Sequence, residues 1–138
     1  MALEITARVL IDGAAEGPVL RLAEPLSFWG GVDPVSGRIV QPAHPDCGAD
    51  LAGTVLALPG LIGSSSSSAV LLELIRAGCA PAAVVMAEVD AILALGAAAA
   101  EELGLAAPPV LHAAVDDFVT GQRAAVRPGG HIHLGDAA

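Results

Sequence analysis

A buried strand that leads through a serine-rich turn into a helix is the feature that most constrains the fold of this sequence. Thr54–Leu58 is a nearly continuous apolar run, which indicates a strand covered on both faces in a parallel sheet. Pro59 and Gly60 end the strand, and five consecutive serines follow at 64–68. Apolar residues then recur at helical spacing until Gly78, which is suited to end a helix. In α/β proteins such a junction lies where ligands bind, at the carboxyl ends of the strands.

Three interpretations of the turn from Gly60 to Ser68 differ in whether it meets a ligand. A flexible linker is disfavoured because ordered elements are predicted on both sides of the turn. Helix capping requires one serine and leaves most of the five serines unexplained. Exposed amides at a helix start favour an anion, and serine hydroxyls add donors that can rotate towards it. We therefore expect this turn to face a ligand.

Two familiar serine and glycine motifs are absent from the turn. It lacks the lysine of the phosphate-binding pattern GxxxxGK[ST] and the second glycine of the hydrolase pattern GxSxG. A serine–aspartate–histidine relay starting at Ser64 would need the fold of a longer chain than these 138 residues. Neither phosphate-loop chemistry nor serine-hydrolase chemistry is therefore expected.

The remaining pattern predicts one compact α/β domain over residues 1–138, with a mixed, barrel-like sheet. Further strands are predicted at Glu4–Ile11, Pro18–Leu22, Arg38–Val40, Ala82–Met86, Pro109–His112, Ala124–Arg127 and His131–Leu134. Asp90 is predicted to cap a second helix that continues to Leu103 and stops at Gly104. The order is mostly β first, β-α-β-α-β in the middle and β at the end, without a visible repeat or linker.

Composition and charge limit the classes of partner. The formal net charge is −9, lysine is absent and the six arginines are scattered, so no nucleic-acid surface is expected. Apolar residues make up 54%, which suits a domain that buries surface in its core and again against a partner. The uncharged stretch Leu51–Leu72 contains Pro59, glycines and serines, which argues against a membrane helix. The first residues show no signal-peptide pattern, so we expect a cytoplasmic protein.

Metal binding by this chain alone is not expected. Cys47 and Cys79 are far apart and lack CxxC spacing, so we expect free thiols that ligate neither zinc nor a cluster by themselves. His131 and His133 would lie on one face of a strand, as a metal site requires, but an exposed hairpin pair is the favoured interpretation. The role of His112 is left open.

Several other side chains have more than one interpretation. His44 and Asp46 lie in an irregular segment, where they orient a substrate, contact a partner or are simply exposed. Glu88 is interpreted as a solvated side chain, with a supporting role left open. Phe28 and Trp29 are adjacent in a glycine-rich segment and cannot both point inward if it is extended, so we expect one of them to pack on a partner.

Motifs along most of the chain resemble the aconitase X small-subunit family. The matching segments are Phe28–Pro34 with Gly37, His44-Pro45, Gly48, Leu51–Gly53, Pro59 with Gly63-Ser64, Val70–Ile75 and Ala91–Gly96. The likeness covers about residues 1 to 134. It implies a swivelling β/β/α domain, inactive without a separate large subunit that carries an iron–sulfur cluster.

The resemblance also implies an active site on the serine turn. Ser64, the first serine after the glycine, matches the residue that acts as base or acid in this family, and Gly63, Ser65 and Ser66 would bind the substrate. The implied reactions are dehydration of cis-3-hydroxy-L-proline or of phosphorylated mevalonate. A serine can accept a Cα proton if nearby amides and hydroxyls stabilise its alkoxide, while a metal assists departure of the hydroxyl group.

Two departures from related sequences bear on the substrate. Leu61-Ile62 stands where many relatives have an arginine, and Ala69 follows the serines where true aconitases have one. Without these guanidinium groups the turn suits a small amino acid with one carboxylate better than a phosphate or a tricarboxylate. The expected substrate is therefore cis-3-hydroxy-L-proline, with phosphomevalonate as the alternative. A stand-alone, non-catalytic anion-binding domain is the alternative of another class.

Overall fold

The computed structural model describes residues 2–63 and 65–137. The strands are β1 (Leu3–Thr6), β2 (Arg8–Ile11), β3 (Ala15–Arg21), β4 (Val55–Leu58), β5 (Ala83–Met86), β6 (Val110–His112), β7 (Gln122–Arg127) and β8 (His131–Ala137). The helices are α1 (Phe28–Gly31), α2 (Ser67–Ala77) and α3 (Ala91–Glu102). In α1, Trp29 and Gly30 have non-helical backbone angles, so α1 is a single distorted turn.

The strands form one eight-stranded sheet in the order β1-β8-β7-β3-β4-β5-β6-β2. Its two edges come from one stretch of chain, because only Ala7 separates β1 from β2. The Ala7 amide donates to the Gly130 carbonyl oxygen at 2.8 Å, beside the pairing of β1 with β8. The sheet is therefore curled into a nearly closed barrel, as the sequence pattern predicts.

Strand β3 passes from one half of this sheet to the other. Ala15–Pro18 pairs with β7 in the antiparallel sense, and Val19–Arg21 pairs with β4 in the parallel sense. Strands β4, β5 and β6 continue the parallel half of the sheet. The carboxyl ends of β3, β4, β5 and β6 consequently share one edge, which we call the carboxyl edge.

The core has two parts, one on each face of the parallel half. In β4, Val55 and Ala57 face the barrel interior, whereas Leu56 and Leu58 face the layer formed by α2 and α3. Strand β5 alternates in the same way and is also fully buried. This β/β/α arrangement confirms the predicted fold class, and the buried parallel strand predicted at 54–58 is confirmed as β4.

The predicted helix signals are confirmed by the backbone. The Asp90 carboxylate accepts hydrogen bonds from the amides of Ile92 at 2.9 Å and Leu93 at 3.1 Å, which caps α3. Gly78 ends α2 in the left-handed conformation, with φ of 75°. Gly104 follows α3 with φ of 77°. Within the described ranges no helix is long and apolar enough to cross a membrane.

The strand predicted at Arg38–Val40 is wrong. Arg38 and Ile39 each form only an isolated bridge, to Asp50 and Val32 respectively. Each bridge is a single pair that no neighbouring residue extends into a ladder. The prediction of a single domain over residues 1–138 stays a prediction.

Candidate functional site

The serine loop, residues 59–66, leaves the buried end of β4 at the carboxyl edge and leads into α2. Its stem is held by Leu26, in the segment that follows β3. The Leu26 amide donates to the Gly60 carbonyl oxygen at 3.3 Å, and the Ile62 amide donates to the Leu26 carbonyl oxygen at 3.0 Å. These two bonds surround a parallel bridge between Leu26 and Leu61. The stem is thus attached to a neighbouring strand ending rather than free.

The loop between β5 and α3 holds the serine loop from the other side. The Glu88 amide donates to the Pro59 carbonyl oxygen at 2.9 Å. The Glu88 side chain covers Gly60, since its Oε2 lies 3.4 Å from the position that a Cβ on Gly60 would take. Among residues 2–63 and 65–137 the Glu88 carboxylate has no ion-pair partner. A negative charge therefore lies beside the stem.

The predicted site residues lie at the start of α2. Gly63 and Ser65 are exposed, and Ser66, which immediately precedes α2, is half-buried. Ser64, the predicted base, lies outside the described residues. The roles assigned to all four remain predictions.

The first turn of α2 has the electrostatic character that an anion requires. It contains no acidic residue, and its amides include some without partners within the helix. Ser66 stands at the N-cap position of α2, but its side chain makes no capping hydrogen bond, so capping by a hydroxyl does not account for this serine. Ser67 is buried, and its hydroxyl has no hydrogen-bond partner in the described part of the chain.

His44 and Asp46 join the turn at 41–48 to the segment after β3. His44 is 5% exposed, and its Nε2 lies 3.1 Å from the Glu24 carbonyl oxygen. The Asp46 amide donates to His44 Nδ1 at 3.0 Å, and the Ala23 amide donates to Asp46 Oδ2 at 3.1 Å. These contacts join residues about twenty positions apart, so the role of the pair could not be predicted from the sequence.

The other histidines lie in strands, where His112 and His133 each contact a neighbouring segment. His112 Nε2 lies 3.0 Å from the Ala87 carbonyl oxygen, which ties β6 to the loop after β5. His131 and His133 are exposed on β8, and His133 pairs with Glu4 of β1. In the described ranges no group of three or more potential ligand side chains is placed to hold a metal ion.

Exposed apolar side chains surround the carboxyl edge. We call them the apolar rim; its members are Trp29, Ile62, Val89, Ile92 and Leu95. They lie in the segments that meet at this edge or in the first turns of α3. Trp29 is 62% exposed whereas its neighbour Phe28 is buried, which confirms that only one of the two aromatics points inward. The exposure of the other four was not predicted: Ile62 and Val89 are apolar residues within loops, which is a detectable signal, whereas Ile92 and Leu95 lie in a helix with many apolar residues.

A turn remote in sequence from the serine loop contains a carboxylate with a shifted pKa. The Val35 amide donates to Asp33 Oδ1 at 3.0 Å, and the Ser36 hydroxyl donates to Asp33 Oδ2 at 2.9 Å. These hydrogen bonds, the backbone bond foremost, hold the pKa of Asp33 below its ordinary value of 3.8. Asp33 therefore stabilises its turn as the charged carboxylate.

Comparison with known proteins places the whole arrangement in one family. The family model for the aconitase X swivel domain matches residues 4–134. A cis-3-hydroxy-L-proline dehydratase from Pseudomonas aeruginosa is 52% identical over 99 residues, which are 72% of this chain and 17% of that protein. A phosphomevalonate dehydratase small subunit from Methanopyrus kandleri is 38% identical over 128 residues, 90% of each chain.

The fold agrees with a solved structure of the same family. The crystal structure of aconitase X from Thermococcus kodakaraensis, in its holo form, superposes with a TM-score of 0.88 and 29% identity. The match covers 97% of this chain and 99% of that one. The chain spans less than a quarter of the two cis-3-hydroxy-L-proline dehydratases it matches, 17% and 22% of their lengths. By sequence and by fold, this chain belongs to the aconitase X swivel-domain family.

Proposed function

We propose that this chain is the small subunit of a hydro-lyase and dehydrates cis-3-hydroxy-L-proline together with a large chain. The observation that supports this most is the attachment of the serine loop at the carboxyl edge, between Leu26 and Glu88 and directly before α2. Because Leu26 and Glu88 hold only the stem of the loop, we expect its tip to be available to a substrate. The names of the relatives support the class of reaction, since they are dehydratases.

The proposed chemistry assigns the proton to Ser64. Its hydroxyl oxygen, as the alkoxide, takes the Cα proton of the substrate, and the electron pair of that bond forms a double bond as hydroxide leaves the β-carbon. The released enamine then tautomerises to pyrroline-2-carboxylate. Amides and hydroxyls at Gly63, Ser65 and Ser66 would bind the carboxylate and the developing negative charge.

The exposure of the apolar rim supports the proposal that a large partner chain binds there. Exposed apolar side chains around a polar loop are typical of surfaces that become buried on association. A large chain seated on the rim would also exclude water from the serine loop. The shares of 17% and 22% of two relatives' lengths fit a domain that works beside a much larger one.

The iron–sulfur cluster implied by the resemblance is assigned to that partner. Cys47 and Cys79 lie in different segments, where each thiol contacts backbone carbonyls, Cys47 that of Ile39 and Cys79 those of Val35 and Ala77. Because no ligand set is present among residues 2–63 and 65–137, no step of the reaction is assigned to a cluster on this chain.

The charges beside the serine loop favour an amino acid over a phosphate. No lysine or arginine occurs between Leu51 and Ile75, and the Glu88 carboxylate lies against Gly60. A carboxylate here would repel a phosphate and attract the ammonium group of a hydroxyproline. Phosphomevalonate is the second candidate, favoured by the coverage of 90% of both chains in the Methanopyrus kandleri comparison.

Co-expression with the large chain tests the proposal. We expect dehydration of cis-3-hydroxy-L-proline only when both chains are present, and a loss of about a hundredfold or more in kcat for Ser64→Ala. Thr6→Ala, which removes an exposed hydroxyl on β1, is the control and should leave kcat unchanged. Ligand binding or turnover by this chain alone, or full activity of Ser64→Ala in the complex, would contradict the assignment. If the complex dehydrates phosphorylated mevalonate but not cis-3-hydroxy-L-proline, the second candidate is the substrate.

A further inference from the structure

His44 is the one histidine in the described ranges that is buried, and both its ring nitrogens are used. The Glu24 carbonyl oxygen can only accept a hydrogen bond, so Nε2 must carry the hydrogen. Nδ1 accepts from the Asp46 amide and must be unprotonated. His44 is therefore a neutral imidazole with a defined tautomer, unsuited to proton transfer while these contacts persist.

The segment between β3 and Leu26 depends on the turn at 41–48 for its position. The last bond of this segment to the sheet is that of the Leu22 amide to the Ala57 carbonyl oxygen, at 2.9 Å. Beyond it, Ala23 is bonded to the Asp46 carboxylate and Glu24 to the His44 ring. The next residue is Pro25, which has no amide hydrogen to donate.

Leu26 transmits this constraint to the serine loop. It bonds to Gly60 and Ile62, which lie four and two residues before Ser64 along the chain. A displacement of Glu24 would therefore move Leu26 and the stem of the serine loop with it. The stem has no other described backbone bonds on that side.

We propose that His44 is a positioning residue for the serine loop, acting through its Nε2–H bond to Glu24 and the Leu26 bridge. The inference rests on the proposed function in so far as the serine loop performs the chemistry. A loop displaced by about 1 Å can lose on the order of a hundredfold in rate, so a single tether of this kind is large enough to matter.

Two substitutions separate the two bonds of the ring. His44→Gln places an amide donor as many bonds from Cβ as Nε2, so it keeps the tether to Glu24 and loses the acceptor for Asp46. His44→Asn places an acceptor as many bonds from Cβ as Nδ1, so it keeps the bond from Asp46 and loses the tether. Each variant loses one buried hydrogen bond, so the thermal unfolding midpoints of the two variants should fall by similar amounts.

We expect the two variants to differ in kcat although they match in stability. In the complex with the large chain, His44→Asn should lose about tenfold to a hundredfold in kcat, and His44→Gln about threefold or less. Equal losses in both variants at equal unfolding midpoints would overturn the proposal, because His44 would then only fill space.

Amide hydrogen exchange tests the tether without reference to activity. The Ile62 amide, bonded to Leu26, should exchange faster in His44→Asn than in His44→Gln or the unsubstituted protein. Unchanged exchange in His44→Asn would refute the tether. Faster exchange with undiminished kcat would refute its role in catalysis. If the unsubstituted complex dehydrates nothing, the proposed function fails, while the exchange result still decides the tether.

Discussion

Gly96 of α3 lies against the backbone of Ser68 in α2, so closely that a Cβ at Gly96 would be 2.5 Å from the Ser68 carbonyl oxygen. Gly96→Ala should therefore lower the free energy of unfolding by about 1–3 kcal/mol, as overpacking does. Helix propensity alone predicts the opposite sign, since alanine is favoured over glycine by about 1 kcal/mol. Urea unfolding measures the difference, and a more stable Gly96→Ala would show that α2 and α3 do not approach this closely.

The close approach of Gly130 to Ala7, where the barrel closes, leaves no room for a side chain at position 130. Gly130 has φ of 81°, and a Cβ there would lie 2.3 Å from the Ala7 carbonyl oxygen. Gly121 has φ of 94° with nothing within 4 Å, so Gly121→Ala carries the backbone cost alone, about 1–2 kcal/mol. We expect Gly130→Ala to destabilise the protein by at least about 1 kcal/mol more than Gly121→Ala. Equal unfolding midpoints for the two variants would contradict the closure.

Asp33 should stabilise the fold in a pH-dependent manner. Its folded-state pKa is lowered, so its contribution is fully present above the unfolded pKa of about 3.8 and is lost as pH falls through the folded value. The urea midpoint of Asp33→Asn should thus lie below that of the unsubstituted protein at pH 6, and the gap should close towards pH 3. Asp117→Asn, at another exposed carboxylate, serves as the control. A gap that stays constant over this range would exclude the ionised Asp33 as its cause.

Glu88 should recognise an amine. In the complex we expect L-proline to inhibit more strongly than cyclopentanecarboxylate, and Glu88→Gln to reduce that preference by about twofold to fivefold, as for an exposed ion pair. Inhibition constants measured with cis-3-hydroxy-L-proline as substrate report this ratio. Glu101→Gln, at the far end of α3, is the matched control and should leave it unchanged. An unaltered ratio in Glu88→Gln would remove this argument for an amino acid substrate.

The apolar rim can be tested with two leucines on one helix region. Leu95 in α3 and Leu103 just after it are both 63% exposed, but only Leu95 belongs to the rim. Leu95→Asp should weaken binding of the large chain by about tenfold or more, since burying an unpaired charge is costly, and Leu103→Asp should not. Titration of the large chain by calorimetry measures both. Similar affinities for the two variants would place the interface elsewhere.

Local pattern was sufficient for the elements next to the serine loop. The apolar runs of β4 and β5, the Asp90 cap and the Gly78 stop are properties of neighbouring residues, so each could be predicted and was confirmed. The order of motifs also indicated the aconitase X family. The strand predicted at Arg38–Val40 is wrong because its two bridges go to different segments and neither continues, whereas a strand requires consecutive pairs with one partner.

What the sequence by itself determined is the family, the strand and helix pattern and the serine loop as the candidate site. Only the tertiary structure decided which distant side chains surround that loop. His44 reaches Glu24 across twenty positions, and Glu88 covers Gly60 across twenty-eight. The physical reason is that hydrophobic periodicity reports which face of an element is buried, whereas these contacts depend on how the strand order brings separate loops to one edge.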